Sequence, residues 1–244
     1  MINRLAITVL AAVLGFGVAG PSVAATDKPT VVELFTSQGC SSCPPADEFL
    51  AELAERDDVI AIAFHVTYWD YIGWKDPYAK SWATERQYSY ARVLERGYPY
   101  TPQMVVDGKH DLVGSRRGQV ANAMVDSMQE ANLRIPVVLQ RETDNLTITL
   151  PAAKLRQPLH LWMVRYSGAR KTKVARGENR GETLVNTHIA RHMELLGSWS
   201  GEAREITAAL PLPAEMDGGV AVWVQERNAG AIRGAAKLDF DPDA

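Results

Sequence analysis

The pattern of apolar and polar positions changes character near residue 134. Before that point, short continuous apolar runs alternate with stretches whose apolar residues recur every three or four positions. Residues 31–35 (VVELF) and 59–66 (VIAIAFHV) are such runs, as strands of a parallel sheet buried on both faces require. Between them, residues 44–56 place Ala46, Phe49, Leu50, Leu53 and Ala54 at helical spacing. Asp47 and Glu48 fall in the first turns of this helix, where the dipole favours anions. A second helix is expected over about 76–96, and a third over about 117–132 with Val120, Met124, Val125 and Met128 on one face. Residues 104–106 and 110–113 flank Asp107-Gly108 and predict a hairpin. The element order is β-α-β-α-β-β-α.

Beyond residue 135 the rhythm becomes that of strands. Residues 136–141 and 146–150 flank Thr143-Asp144-Asn145, a hairpin signal, and 159–166, 171–176, 185–195, 204–210, 220–225 and 232–240 are strand-like, separated by Gly, Pro and Asn clusters. Short strands at this spacing predict a mainly antiparallel, sandwich-like module. Ahead of both halves, Arg4 precedes an uncharged apolar stretch over 5–19, then Gly20-Pro21 and the small residues Ser22-Val23-Ala24-Ala25. This is the pattern of a secretory signal cleaved near Ala24-Ala25, and it is too short for a convincing membrane span. The expected organisation is therefore an export signal over 1–25, an α/β domain over 26–134 and a β-rich accessory domain over 135–244. Export places the protein in the periplasm or outside the cell, where a dithiol persists as a disulfide.

Composition narrows the function classes. With 46% hydrophobic and 23% charged residues, the 244-residue chain is neither disordered nor fibrous. Lys and Arg total 26 against 29 Asp and Glu, a net charge of −3 without a long basic run, which sets nucleic-acid binding aside. Two cysteines are too few for a disulfide framework or an all-cysteine metal site.

Those two cysteines carry the chemistry. Cys40-Ser41-Ser42-Cys43-Pro44 lies between a predicted strand and a predicted helix. Free N–H groups and the dipole at a helix N-terminus stabilise a thiolate. Two intervening residues let the second sulfur reach back to the first, and Pro44 suits the first helical turn. The expected division is an exposed, low-pKa Cys40 as nucleophile and a more buried Cys43 as resolving thiol. Pro102, at the entry of the strand over 104–106, is expected in a cis bond after Thr101, turning the Thr101 backbone toward the dithiol so that a substrate chain can pair with it. The aromatic run from His65 to Trp74, with Tyr68 and Trp69, follows the second strand at the same sheet end as Cys40. It either walls a substrate groove or packs the adjoining helix. His65 either tunes Cys40 or is a satisfied core histidine, and it is read as the latter. His188 and His192, four apart, would suit a metal only on a helix; no metal and no cofactor are expected.

The CxxC at a strand-to-helix junction, Thr101-Pro102 at a hairpin entry and the βαβαββα order together resemble the thioredoxin fold over about residues 30–133. The string ELFTSQGCSSCPPAD, 33–47, is similar to a secreted, thioredoxin-like bacterial family of uncharacterised function, over the whole mature chain. The resemblance implies dithiol–disulfide exchange with Cys40 attacking and Pro102 as cis-proline. It also implies a buried carboxylate beneath the dithiol, a role that falls to Glu33. The chain departs from thioredoxin itself in lacking a Trp before Cys40 and in its Ser-Ser dipeptide. The fold expected is thus an α/β thioredoxin-like domain followed by an antiparallel, sandwich-like β domain. The function expected is periplasmic or secreted thiol–disulfide exchange with a protein or small-thiol substrate and a separate redox partner. No nucleic acid takes part, and no membrane beyond export. Other readings remain: a binding or scaffold protein with a structural Cys40–Cys43 bond, a thiol peroxidase, or a Cu(I) handler.

Overall fold

The computed structural model describes residues 28–211 and 216–240. The expected export signal lies outside the described residues. The first half runs β1 (Thr30–Thr36), α1 (Pro44–Ala54), β2 (Val59–His65), α2 (Ser81–Val93), β3 (Gln103–Val106), β4 (His110–Val113) and α3 (Arg117–Gln129). β1 and β2 pair in parallel from Thr30↔Val59 to Thr36↔His65, while β3 runs antiparallel to β1 and forms a hairpin with β4. Asp107 and Gly108 turn that hairpin at positive φ, as the Asp-Gly signal predicts. Every residue of β1 and of β2 is buried, because helices cover both faces. Alternation along β1 sends Val32 and Leu34 toward α1 and α3, and Val31 and Phe35 into the core containing Ala83 and Tyr90 of α2.

The second half runs β5 (Val138–Glu142), β6 (Asn145–Leu150), β7 (Leu159–Ser167), β8 (Arg170–Lys173), β9 (Thr183–Asn186), β10 (Ile189–Trp199), β11 (Arg204–Ala209), β12 (Gly219–Gln225) and β13 (Ile232–Asp239). Its strands are antiparallel among themselves, as the pattern predicts, and β5, β6 and β11 pack as a small sheet over β7, β12 and β13. They do not stand apart from the first half. One mixed sheet runs β13-β12-β7-β10-β2-β1-β3-β4 through the whole molecule. The seam is the edge of β2, where Ile189 pairs with Ala63 and the Ala63 N–H donates to the His188 carbonyl at 2.9 Å. An edge strand as apolar as β2 needs a partner, and β10 supplies it.

The expected strand over 185–195 is two strands, because His188 takes a positive φ of 47° and redirects the chain from β9 into β10. His188 consequently lies in the turn before β10 and His192 on the strand, not together on a helix; His188 Nδ1 sits 3.0 Å from the Ala61 carbonyl. The expected helix over 76–96 begins only at Ser81, since Asp76 is drawn into a buried polar cluster.

The halves also share a core. Phe35, Phe64 and Tyr90 of the first half pack with Tyr166, Ala221, Trp223 and Ala235 of the second. Inside that core, Arg86 of α2 donates to Glu33 of β1 through Nε at 2.5 Å and Nη2 at 2.9 Å, and to Gln225 of β12 at 3.1 Å. Its guanidinium lies 5.0 Å from the Tyr90 ring centroid and 5.3 Å from that of Trp223, so the buried cation is paired on its edge and stacked on its faces.

Candidate dithiol site

Cys40 and Cys43 are joined by a disulfide, with their Cα atoms 5.4 Å apart. Cys43 is the N-cap residue of α1, and its carbonyl accepts from the Ala46 and Asp47 N–H groups at 2.8 and 3.1 Å. Pro44 opens the helix, where its missing N–H loses no intrahelical bond. The disulfide therefore sits where β1 has ended and the unpaired N–H groups of α1 begin.

Trp69 links this loop to Thr101. The Thr101–Pro102 peptide bond is cis. The indole N–H of Trp69 donates to Thr101 Oγ1 at 2.8 Å. Trp69 also lies against Gly39, where an added Cβ would stand 3.0 Å from the Trp69 Cβ, so glycine there permits the close approach. Tyr68 is packed beside Gln87 and Thr101, and burial pushes its hydroxyl up to about 12. Both aromatic rings are half-buried against the core of α2. Both pack against the core, and Trp69 also lies against Gly39 of the dithiol loop.

Two expectations are corrected. Cys40, read as exposed, is 0% exposed, as is Cys43. The reason is a cover from the second half of the chain. The loop between β8 and β9 lies over the dithiol segment, where Asn179 Nδ2 donates to the carbonyls of Gln38 at 2.9 Å and Cys40 at 3.0 Å. Glu178 accepts from the Ser41 N–H at 3.0 Å. Only Ser41 and Ser42 of the CxxC segment reach solvent. Glu33, read as the carboxylate beneath the dithiol, has both oxygens taken by Arg86 and one also by the Tyr90 hydroxyl. Strand alternation turns it toward the α2 side of β1, away from α1.

A different carboxylate lies on the α1 side. Asp47, one helical turn after Cys43, is buried with Ala46 and Leu50 on the apolar stripe of α1. Thr36 Oγ1 donates to its Oδ2 at 3.2 Å, while its Oδ1 has no partner among the described residues. Burial raises its pKa to about 7, against the opposing pull of His65. His65 pairs through Nδ1 with Asp76 Oδ2 at 2.7 Å, both side chains fully buried. Burial disfavours the imidazolium, but Asp76 and then Asp47 outweigh it, and the His65 pKa is raised. Asp76 is lowered: burial opposes, and His65 with the Gln38 and Tyr78 N–H groups prevails. Gln38 ties this cluster to the loop, its side chain bridging Asn186 at 2.9 Å and Trp74 at 3.2 Å. The sequence places Asp47 in the first turns of the helix, where the dipole favours anions; the signal that it is buried is its position three before Leu50 and one after Ala46 on the apolar face. Asn179, Glu178 and Asn186, more than 130 residues away from the loop they hold, left no local signal.

Beside the cover, a groove of about 600 Å³ is lined by Ile72, Gly177, Glu178, Arg176 and Arg180. Among the described residues, no group of three or more His, Cys, Asp or Glu side chains is arranged to hold a metal ion.

The cover makes a direct prediction. Asn179→Ala removes two hydrogen bonds worth about 1 kcal/mol each. The disulfide of the variant is expected to react with a phosphine reductant at least about tenfold faster than that of the parent. A rate equal to the parent's would show that Asn179 does not hold the cover closed.

A family model described as "Protein of unknown function (DUF1223)" matches residues 31–225. The chain belongs to the DUF1223 family. The matched span includes Cys40 and Cys43, Thr101 and Pro102, and the covering residues Glu178 and Asn179 of this chain. No curated protein matches the chain. Among solved structures, the crystal structure of protein AGR_C_4864 from Agrobacterium tumefaciens is 32% identical, with a TM-score of 0.77 over 87% of this chain and 95% of that one. HBP35 of Porphyromonas gingivalis, 18% identical, shares the fold with a TM-score of 0.61 over 88% of this chain and 76% of its own.

Proposed function

We propose that this DUF1223 chain is an exported thiol–disulfide oxidoreductase whose first half has the thioredoxin-like layout, acting in the periplasm or outside the cell. The observation that carries the reading is the Cys40–Cys43 disulfide at the N-terminus of α1, in a chain that also holds a cis Thr101–Pro102 bond tied through Trp69 to the Gly39 side of the loop. The helix N-terminus stabilises a thiolate at Cys40. In the reducing direction, that thiolate attacks one sulfur of a substrate disulfide; the other substrate sulfur leaves as a thiolate and takes up a proton. Cys43, deprotonated, then attacks Cys40 Sγ, re-forms the internal disulfide and releases the second substrate thiol. Two electrons have passed to the substrate, and a separate dithiol partner must return them. Asp47 is the group placed to accept the Cys43 proton: it lies one turn along α1, and its affinity for a proton is balanced near neutrality. Pairing with the Thr101 backbone orients an extended substrate, and displacement of the 178–179 cover must come first.

The experiment is a trap. Cys43→Ser leaves Cys40 able to form a mixed disulfide but unable to resolve it. Expressed with its export signal, the variant is expected to accumulate reductant-sensitive adducts that Cys40→Ser/Cys43→Ser lacks. A folded Cys43→Ser protein without adducts would contradict the reading.

The full burial of both sulfurs favours a second reading, in which the bond is structural and the molecule binds rather than reacts. The two readings differ in the reduction potential of the bond.

A further inference from the structure

On the α2 side of the sheet, remote in sequence from the dithiol loop, lies a separate cavity of about 370 Å³ between α2, β7, β10 and the turn before β13. That volume falls within the roughly 300–1,000 Å³ of small-molecule sites. Trp82 of α2, Trp162 of β7, and Met193 and Leu195 of β10 supply aromatic and apolar wall, while Glu85, Ser89, His160 and Asn228 supply polar wall. Trp162 stands directly between Leu195 and the fully buried Trp223 in the sheet register, so its position is fixed by both neighbouring strands. Leu195 is 45% exposed, an apolar side chain at a cavity rim.

Among the polar groups of the lining, Arg86 is the one held rigidly in the core. Arg86 lines the cavity although its side chain is only 6% exposed. Its recorded hydrogen bonds use Nε and Nη2, on Glu33, Tyr90 and Gln225. That leaves Nη1 as the donor available to the cavity. The guanidinium is fixed by this network and by the rings of Phe64, Tyr90 and Trp223, so the donor is pre-organised. Glu33 already balances its charge, so the site asks for an acceptor rather than for an anion specifically.

We propose that this cavity is a binding site for a small planar aromatic molecule carrying one hydrogen-bond acceptor, the ring lying between Trp82 and Trp162 and the acceptor meeting Arg86 Nη1. A fixed donor between two aromatic walls discriminates, because a ligand that covers it without an acceptor leaves it unpaired. The proposal is independent of the chemistry of Cys40 and Cys43.

The test uses the oxidised, exported chain and its indole N–H resonances, assigned by Trp→Phe variants. The probes are 2-naphthamide (neutral acceptor), 2-naphthoate (anionic acceptor) and 2-methylnaphthalene (none). The amide is expected to shift the Trp82 and Trp162 resonances saturably while leaving Trp69 and Trp74, at the dithiol loop, unmoved. The hydrocarbon is expected to bind at least about tenfold more weakly, the equivalent of about 1.4 kcal/mol. Ser89→Trp, which fills the cavity from the half-buried face of α2, is expected to abolish the shifts while the other indole signals stay in place. Tight binding of the carboxylate alone would mean that net charge, not an acceptor, selects the ligand, and would overturn the assignment. So would shifts that survive Ser89→Trp, shifts spread over all indoles, or none with either acceptor probe.

Discussion

Glu33→Ala is expected to destabilise the protein by roughly 3–5 kcal/mol, the loss typical of removing one partner from a buried ion pair. Without Glu33 the Arg86 guanidinium, its side chain 6% exposed, keeps only the Tyr90 hydroxyl and Gln225 as polar partners. A charge left among the rings of Phe64, Tyr90 and Trp223 meets water only on the side that lines the α2 cavity. The double variant Glu33→Leu/Arg86→Met removes both charges and replaces them with apolar volume, and is expected to recover most of the loss. Urea unfolding measures both, read from the midpoint at constant slope. A loss below about 1 kcal/mol in Glu33→Ala would show that the pair is not the closed network described. Because Gln225 belongs to β12, the same variant is expected to loosen the two halves together, in one transition.

Asp47→Asn is expected to change how stability depends on pH. The folded protein raises the Asp47 pKa from 3.8 to about 7, chiefly by burial, so across that window the folded state holds a proton that the unfolded state releases. Stability from this group is fully present below about pH 4 and is lost as pH rises through about 7, at up to about 1.4 kcal/mol per pH unit. Asparagine mimics the neutral form at every pH. Relative to the parent, the variant should gain on the order of 2–4 kcal/mol between pH 4 and 8. Taking the difference between variant and parent cancels titrations not coupled to Asp47, among them His188, whose pKa burial lowers and whose contribution runs the opposite way; His65, which Asp47 helps to raise, shifts down in the variant. A difference that stays flat between pH 4 and 8 would mean that Asp47 is ionised throughout and unsuited to take a proton from Cys43. Glu33→Gln, in contrast, is expected to leave the pH dependence of disulfide reduction unchanged.

The parts of this molecule that were legible in sequence are those set by local periodicity and by motifs with a single mechanical meaning. Continuous apolar runs marked β1 and β2, helical spacing marked α1, and Asp107-Gly108 marked the hairpin of β3 and β4. The dithiol stood out because cysteine is rare here and Pro44 follows it. The parts that were not legible depend on contacts between distant segments. Nothing near residue 189 announces that it pairs with Ala63, so one continuous sheet was read as two modules. Nothing in the local sequence at Asn179 and Glu178 says that they close over Cys40 and Ser41. Glu33 and Asp47 show the intermediate case. Both were visible as acids on otherwise apolar elements, but which of them faces α1 follows from strand alternation combined with the placement of Arg86, a residue 53 positions from Glu33.

The central claim is that the Cys40–Cys43 bond is exchanged rather than merely structural, and its equilibrium reduction potential tests this most directly. The exported chain, equilibrated in glutathione buffers and read by mass-tagging of free thiols, is expected to titrate between roughly −120 and −270 mV, the range of exchanging dithiols. A bond that stays oxidised below about −300 mV would contradict the account and identify Cys40–Cys43 as a structural link in a binding protein.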